Sequence, residues 1–197
     1  MIGNDVVDFE QALIDGAYNR PRFLDKAFNL DEKNQILDSI DSHKQACIFW
    51  AVKEAAYKSY FRETGNRFLN PKRIKLHLKH YQNKPTVVVT IESSKYFVRI
   101  NLNTNHVVAT AQSINAPPKS FYNQLILLPN ERYGVQSVYI KEAVIDFFSA
   151  YLNRSKRYLK ILKDKHGIPY LFVDDTKKEY LISLSHHGRR AAYLVGI

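Results

Sequence analysis

Three pairs of segments recur in the same order along this chain, and that internal duplication restricts the fold more than any other feature. Lys53-Glu54-Ala55 is echoed by Lys141-Glu142-Ala143. Asn83-Lys84-Pro85 ahead of Val87-Val88-Val89 is echoed by Gly167-Ile168-Pro169 ahead of Tyr170-Leu171-Phe172-Val173. Arg99-Ile100-Asn101-Leu102-Asn103 ahead of Val107-Val108-Ala109 is echoed by Leu181-Ile182-Ser183-Leu184-Ser185 ahead of Ala191-Ala192. Measured from 53 to 141, 85 to 169 and 103 to 185, the offsets are 88, 84 and 82 residues, shrinking as small loop deletions would make them. One match between short biased segments is within reach of chance; three in one order point to duplication. Each copy reads as one long helix packed on a small, mostly antiparallel sheet. The expected fold class is therefore α+β, a duplicated unit with pseudo-twofold related halves, and the cleft between them is the natural ligand site.

Local patterns supply the elements. Ile2–Val7 reads as a strand and 9–37 as loop and short helices. A long helix is expected from Ser42 to Arg62, opened by a Ser42/Gln45 capping box and stopped by Gly65-Asn66. Val-, Ile- and Thr-rich runs at Ile74–His80, Thr86–Ile91, Phe97–Leu102 and Val107–Ser113 read as strands. Ala116-Pro117-Pro118-Lys119-Ser120 reads as a linker. Beyond it come a strand near Leu125–Leu128 and a helix over Val138–Asn153. Strands follow at Tyr158–Lys163, Tyr170–Val173, Tyr180–Ser185 and Ala191–Ile197.

Composition narrows the setting. With 45% hydrophobic residues, the chain can bury a core without staples. Its single cysteine, Cys47, excludes an intrachain disulfide and suits a reducing, cytoplasmic location. No stretch approaches the ~18 apolar residues of a membrane span, and the first residues carry no basic-then-apolar leader. Neither a membrane partner nor a signal peptide is expected. The formal net charge of +10 favours anionic partners: nucleic acid, anionic lipid, phosphorylated cofactors or acidic proteins. Charge alone does not choose among them.

Three constellations carry chemistry. Gly3-Asn4-Asp5 puts a carboxylate near a strand end, which is either an ordinary turn residue or a cleft-facing ligand. Phe49-Trp50-Ala51-Val52-Lys53-Glu54-Ala55-Ala56-Tyr57-Lys58 places Glu54 and Lys58 on one helix face, four residues apart. On a solvated helix that is a weak surface pair. Its apolar flanks instead suggest burial, and buried charges need partners. Magnesium takes one or two carboxylates and completes its shell with phosphate oxygens and water, a demand that Asp5 and Glu54 fit. Ile182-Ser183-Leu184-Ser185-His186-His187-Gly188-Arg189-Arg190 reads as a strand entering a polar turn of phosphate-binding types. No Cys or second His stands at zinc spacing.

Together, Gly3-Asn4-Asp5 and Trp50-Ala51-Val52-Lys53-Glu54-Ala55-Ala56-Tyr57-Lys58 resemble the two-part signature of the 4′-phosphopantetheinyl transferase superfamily. The segment Arg22-Phe23 to Phe28-Asn29-Leu30-Asp31-Glu32 is similar to the stretch that precedes the signature helix. Gly167-Ile168-Pro169-Tyr170 and Ser183-Leu184-Ser185-His186 resemble the family's glycine-lysine-proline and serine-histidine elements. The resemblance spans nearly the whole chain, and its specific part is the helix with the upstream aspartate.

The resemblance implies a holo-acyl-carrier-protein synthase activity. The 4′-phosphopantetheine arm of coenzyme A would be moved to a serine of an acyl or peptidyl carrier protein, in lipid, polyketide, peptide or pigment synthesis. It implies Asp5 and Glu54 as magnesium ligands. Lys53, Lys58, Ser185 and His186 would contact coenzyme A, and Glu54 and Lys58 would be the catalytic residues. Residues 1–115 would form the metal-binding half and 120–197 the coenzyme A phosphate-binding half, in a monomer with no nucleic-acid partner. Three departures stand out. Val7 occupies the place of a second acid, with Asp8 one residue further on and facing the other side of a continuing strand. Ile168 occupies the place of a lysine. The metal half comes first, the reverse of the usual two-domain order. The competing readings are a basic nucleic-acid-binding module, since 13 tyrosines interleaved with lysines suit stacking on single strands, and a catalytically dead scaffold that binds carrier proteins. No recognised nucleic-acid motif supports the first, and an intact Asp5, Glu54 and Lys58 oppose the second.

Overall fold

The computed structural model describes residues 1–18, 20–81, 84–115 and 120–197. Asn83 of the second echo and residues 116–119 of the expected linker lie outside them.

The chain opens with strand β1 (Ile2–Asp8), then three short helices, α1 (Phe9–Asp15), α2 (Pro21–Ala27) and α3 (Leu30–Leu37), and the long helix α4 (Ser42–Thr64). A 3-10 turn at Pro71–Arg73 leads into β2 (Ile74–Tyr81), β3 (Lys84–Ile91), β4 (Ser94–Leu102) and β5 (His106–Ser113). The second half repeats this order. It runs through β6 (Phe121–Leu127), helix α5 (Tyr133–Tyr151), a 3-10 turn at Lys156–Tyr158, then β7 (Leu159–Lys163), β8 (Pro169–Val173), the short β9 (Thr176–Lys177), β10 (Leu181–His187) and β11 (Arg190–Gly196). Strand, long helix, 3-10 turn and strands follow one another in both halves, as the sequence echoes lead one to expect. Lys141-Glu142 falls on α5, as Lys53-Glu54 falls on α4, but Glu142 faces solvent.

All described strand pairings are antiparallel. The first half forms one five-stranded sheet, β1-β5-β4-β3-β2, and the second two three-stranded sheets, β10-β11-β6 and β7-β8-β9. The fold is α+β. Its first core gathers Ala51, Val52, Ala55, Ala56 and Tyr60 of α4 against Val87, Val89, Val98 and Ala109 of the large sheet. Its second packs Ile140, Val144 and Phe148 of α5 against Ile161, Leu171, Ile182 and Val195. A small cluster of Val6, Val108 and Ala192 joins the two.

The caps show where pattern reading needed correction. Helix α4 is capped by Asp41, whose carboxylate accepts from the Lys44 N–H at 2.9 Å; Ser42 is already helical and forms no box with Gln45. A carboxylate both caps and complements the helix dipole, so it wins the position. Gly65, with φ +72°, ends α4 as expected. A capping box does form at α3: the Asn29 side chain accepts from Glu32 N–H at 2.9 Å, and Glu32 accepts from Asn29 N–H at 3.0 Å.

Candidate active site

The site begins with a missing side chain. A Cβ on Gly3 would lie 2.1 Å from the Ala55 carbonyl oxygen, 2.7 Å from Ser59 N and 2.9 Å from Lys58 Cβ. Only glycine lets α4 lie this close to β1, and the small Ala55 and Ala56, both fully buried, complete the approach. Strand alternation then turns Asp5, two residues on, to the same helix-facing side. The Lys58 ammonium donates to Asp5 Oδ1 at 2.8 Å and to the Asn4 carbonyl at 2.9 Å. Glu54 stands one helical turn before Lys58. Burial pushes its carboxyl up to about 7, the neighbouring Asp5 charge pushes the same way, and Lys58 pulls it partly back.

The other face of β1 meets the second half. Asn4 N–H donates to Ser183 Oγ at 3.0 Å, while its side-chain amide donates to Ser185 Oγ at 3.1 Å and to the Ala192 carbonyl at 2.8 Å. Ser183 and Ser185, alternate residues of β10, are thereby held against β1. His186 follows, partly buried. Burial first, then the Lys58 and Lys163 charges, hold its imidazole below the usual histidine range. Ser185 lies in the strand, as expected from sequence, and His186 and His187 extend that strand into what was expected to be a polar turn. The turn is confined to Gly188-Arg189, with Gly188 at φ +56°. A side chain at 188 would strike Gln11 Cβ at 2.7 Å.

Asp8 has a structural task. It caps α1 by accepting from the N–H of Glu10 at 3.2 Å and pairs with Arg190 at 3.1 Å. Its own N–H donates to His187 Nδ1 at 3.1 Å, which leaves the His187 proton on Nε2, 3.2 Å from Asp15 Oδ2. Asp8 and His187 thus lock the hairpin to α1, away from Asp5.

Two adjoining cavities of about 170 Å³ each form a groove between the halves. Asp5, Ser185 and His186 line the first, together with Ser137 and Ile140 of α5. Arg62, His166, Gly167, Ile168 and Pro169 line the second. Lys58, Lys163 and Leu184 line both, forming the waist. The structure thus brings Asp5, Glu54, Lys58, Ser185 and His186 into one region. Among the described residues, no group of three or more His, Cys, Asp or Glu side chains comes together as a metal cluster. The acidic donors at this site are the pair Asp5 and Glu54.

Lys53 is a correction. The resemblance placed it on a cofactor phosphate, yet it lies wholly buried on another side of α4, 2.7 Å from Glu32. Its ammonium donates to the carbonyls of Ala27 at 3.0 Å, Pro71 at 3.1 Å and Ile74 at 2.9 Å. Every donor is spent inside the core, so none reaches the groove.

Sequence reasoning missed Arg62 and Lys163. The signal for Arg62 was available: 54, 58 and 62 fall at successive i, i+4 steps on one helix face. Arg62 donates to the Ile182 carbonyl across the seam. Lys163 carried a weaker signal, its position in the alternation of β7.

Comparison with known proteins gives the site a lineage. The model of the 4′-phosphopantetheinyl transferase superfamily matches residues 1–111, more than half of the chain. Among solved structures, the chain is similar to Helicobacter pylori holo-acyl-carrier-protein synthase in complex with coenzyme A, with 19% identity and TM-score 0.45, covering 57% of this chain and 99% of that one. It is also similar to Thermotoga maritima holo-acyl-carrier-protein synthase, with 15% identity and TM-score 0.42, covering 89% and 83%. No curated protein matches it. Among the described residues, no helix is long and apolar enough to cross a membrane. With the family match covering the strand and the helix that hold Asp5, Glu54 and Lys58, the chain belongs to the 4′-phosphopantetheinyl transferase superfamily.

Proposed function

We propose that this protein transfers the 4′-phosphopantetheine group of coenzyme A to a serine hydroxyl of an acyl or peptidyl carrier protein, releasing adenosine 3′,5′-bisphosphate. The observation that carries this reading is the groove itself. Asp5 and Lys58, from the family's matching segment, line one cavity with Ser185 and His186 of the other half, and Glu54 of α4 neighbours Asp5 and Lys58.

The residues fit magnesium. Asp5 and Glu54 are hard oxygen donors whose mutual repulsion, felt in the raised Glu54 carboxyl, a divalent cation would relieve. When bound there, it would neutralise phosphate charge and ease departure of the leaving phosphate. The chain's own residues do the rest. Lys58, held at 2.8 Å from Asp5, presents positive charge at the waist of the groove. His186, kept largely neutral by its surroundings, offers a hydrogen bond without adding charge. Glu54, directly or through water, takes the proton of the carrier serine as its oxygen forms a bond to the β-phosphorus of coenzyme A. The bond from that phosphorus to the bridging oxygen breaks, and adenosine 3′,5′-bisphosphate leaves with the electron pair. The basic surface, +10 in formal charge, suits both an anionic cofactor and an acidic carrier protein.

Incubating the protein with coenzyme A, magnesium and a panel of apo carrier proteins, followed by intact-mass spectrometry, tests the reading. A gain of one phosphopantetheine on the carrier serine is expected. No gain on any carrier, together with tight binding of oligonucleotides at moderate salt, would replace it with the nucleic-acid reading.

A further inference from the structure

Strand β7 alternates cleanly at its start: Leu159 and Ile161 are buried, Lys160 and Leu162 exposed. The period of two puts Lys163 on the face of Leu159 and Ile161. Its cross-strand partner is the buried Pro169. Lys163 itself is exposed, because the strand ends there and its ammonium must reach water or an anion. Here it reaches the groove, where it lines both cavities beside Lys58.

The two other cations of the groove are already engaged. Lys58 is tied to Asp5 and the Asn4 carbonyl, and Arg62 to the Ile182 carbonyl. Lys163 makes no ion pair or hydrogen bond among the described residues, whereas Lys160, on the outer face, pairs with Asp175 at 2.7 Å. The base of the Lys163 stem is stiff. Asp164 Oδ1 accepts from the N–H groups of His166 at 2.8 Å and Ile168 at 2.9 Å, and Asp164 N–H donates to the Ile168 carbonyl at 3.0 Å. The hairpin therefore fixes where the charge enters.

We propose that Lys163 binds a phosphate group of the coenzyme A ligand at the waist of the groove, a role that rests on the reading given above. An unpaired ammonium on a rigid hairpin, between two cavities large enough for a phosphate each, is a point charge suited to that group. The positive charge thus enters from the strand opposite Pro169, whereas residue 168 itself is isoleucine.

Isothermal titration with coenzyme A tests this on the wild type, Lys163→Ala, Lys165→Ala and the double variant Lys163→Ala/Ile168→Lys. Lys163→Ala is expected to weaken binding about 10-fold, as loss of one charge-assisted hydrogen bond does. Lys165→Ala, in the exposed hairpin next door, should stay within about 2-fold. A lysine at 168 should recover most of the lost affinity, which a merely structural role for Lys163 would not allow. Repeating the series with 3′-dephospho-coenzyme A assigns the phosphate: a penalty that vanishes marks the 3′-phosphate, one that persists marks the diphosphate. Wild-type affinity in Lys163→Ala, or an equal loss in Lys165→Ala, overturns the proposal. Failure of the wild type to bind coenzyme A overturns the functional reading instead.

Discussion

Glu54 and Lys53 are neighbours in sequence and opposites in circumstance. The Glu54 carboxyl is raised from 4.5 to about 7 by burial and by Asp5, so ionising it costs the folded state more than the unfolded one. The stability it contributes is complete below the unfolded value of 4.5 and is lost as pH rises through about 7, roughly 3 kcal/mol in all. In metal-free protein, Glu54→Gln should therefore unfold at higher denaturant than the wild type at pH 8. The two should converge near pH 4.5, while the variant fails to transfer. Chemical denaturation at the two pH values, in the presence of a chelator, checks this; parallel pH profiles would show that Glu54 is not the titrating group. Lys53 shows the reverse balance. Burial lowers its ammonium and Glu32 raises it back, and removing it strands a carboxylate in the core. Lys53→Ala should cost about 3–5 kcal/mol, yet leave coenzyme A affinity of the folded protein within about 2-fold, as expected of a residue that never touches the ligand. A large affinity loss at unchanged stability would return Lys53 to the groove.

Among the elements, the contact between β1 and α4 sets the geometry. Because Gly3 brings strand backbone against helix backbone, Gly3→Ala must push the two apart. A loss of about 1–3 kcal/mol in stability is expected from overpacking, with a larger proportional loss of transfer, because Asp5 and Lys58 ride on the displaced pieces. Thermal denaturation alongside turnover measures both. At this scale the sequence was most informative. The strand, the long helix and its glycine stop were readable because periodicity and φ > 0 chemistry are local. What stayed hidden was orientation. Residues 53 and 54 point about 100° apart on a helix. Spacing therefore separated Lys53 from the 54-58-62 face, but the family resemblance grouped them again. The expected strand stopped at Ser185, short of His186 and His187, because strand extent depends on pairing, here with Ala191 and Arg190 of β11. Lys163 escaped because an exposed strand-end lysine looks the same in sequence whether it meets water or a groove.

For the whole molecule, both walls of the groove come from one chain: β1 and α4 on one side, β7, β10 and the 164–168 hairpin on the other. We therefore read it as an active monomer. Transfer per chain should stay constant over a dilution series monitored by light scattering. Activity that falls in step with loss of a larger species would mean that the site is shared between copies. The division into halves at residues 1–115 and 120–197 is part of the same proposal, resting on the repeated element order and on the two cores.

Strand β1 serves two masters: Gly3 and Asp5 lie against α4, while Asn4 and Val6 lie against β10 and β11. Neither core can open without baring one of its faces, so the halves lose independence when the protein melts. Calorimetry should give one transition, with equal calorimetric and van't Hoff enthalpies, and the β1 amides should be among the last to exchange with deuterium. Two separated transitions would show that the seam is only a docking contact. With the strand held in common, a chain whose ancestry reads as two units becomes a single thermodynamic one, and Asp5 sits on the strand that makes it so.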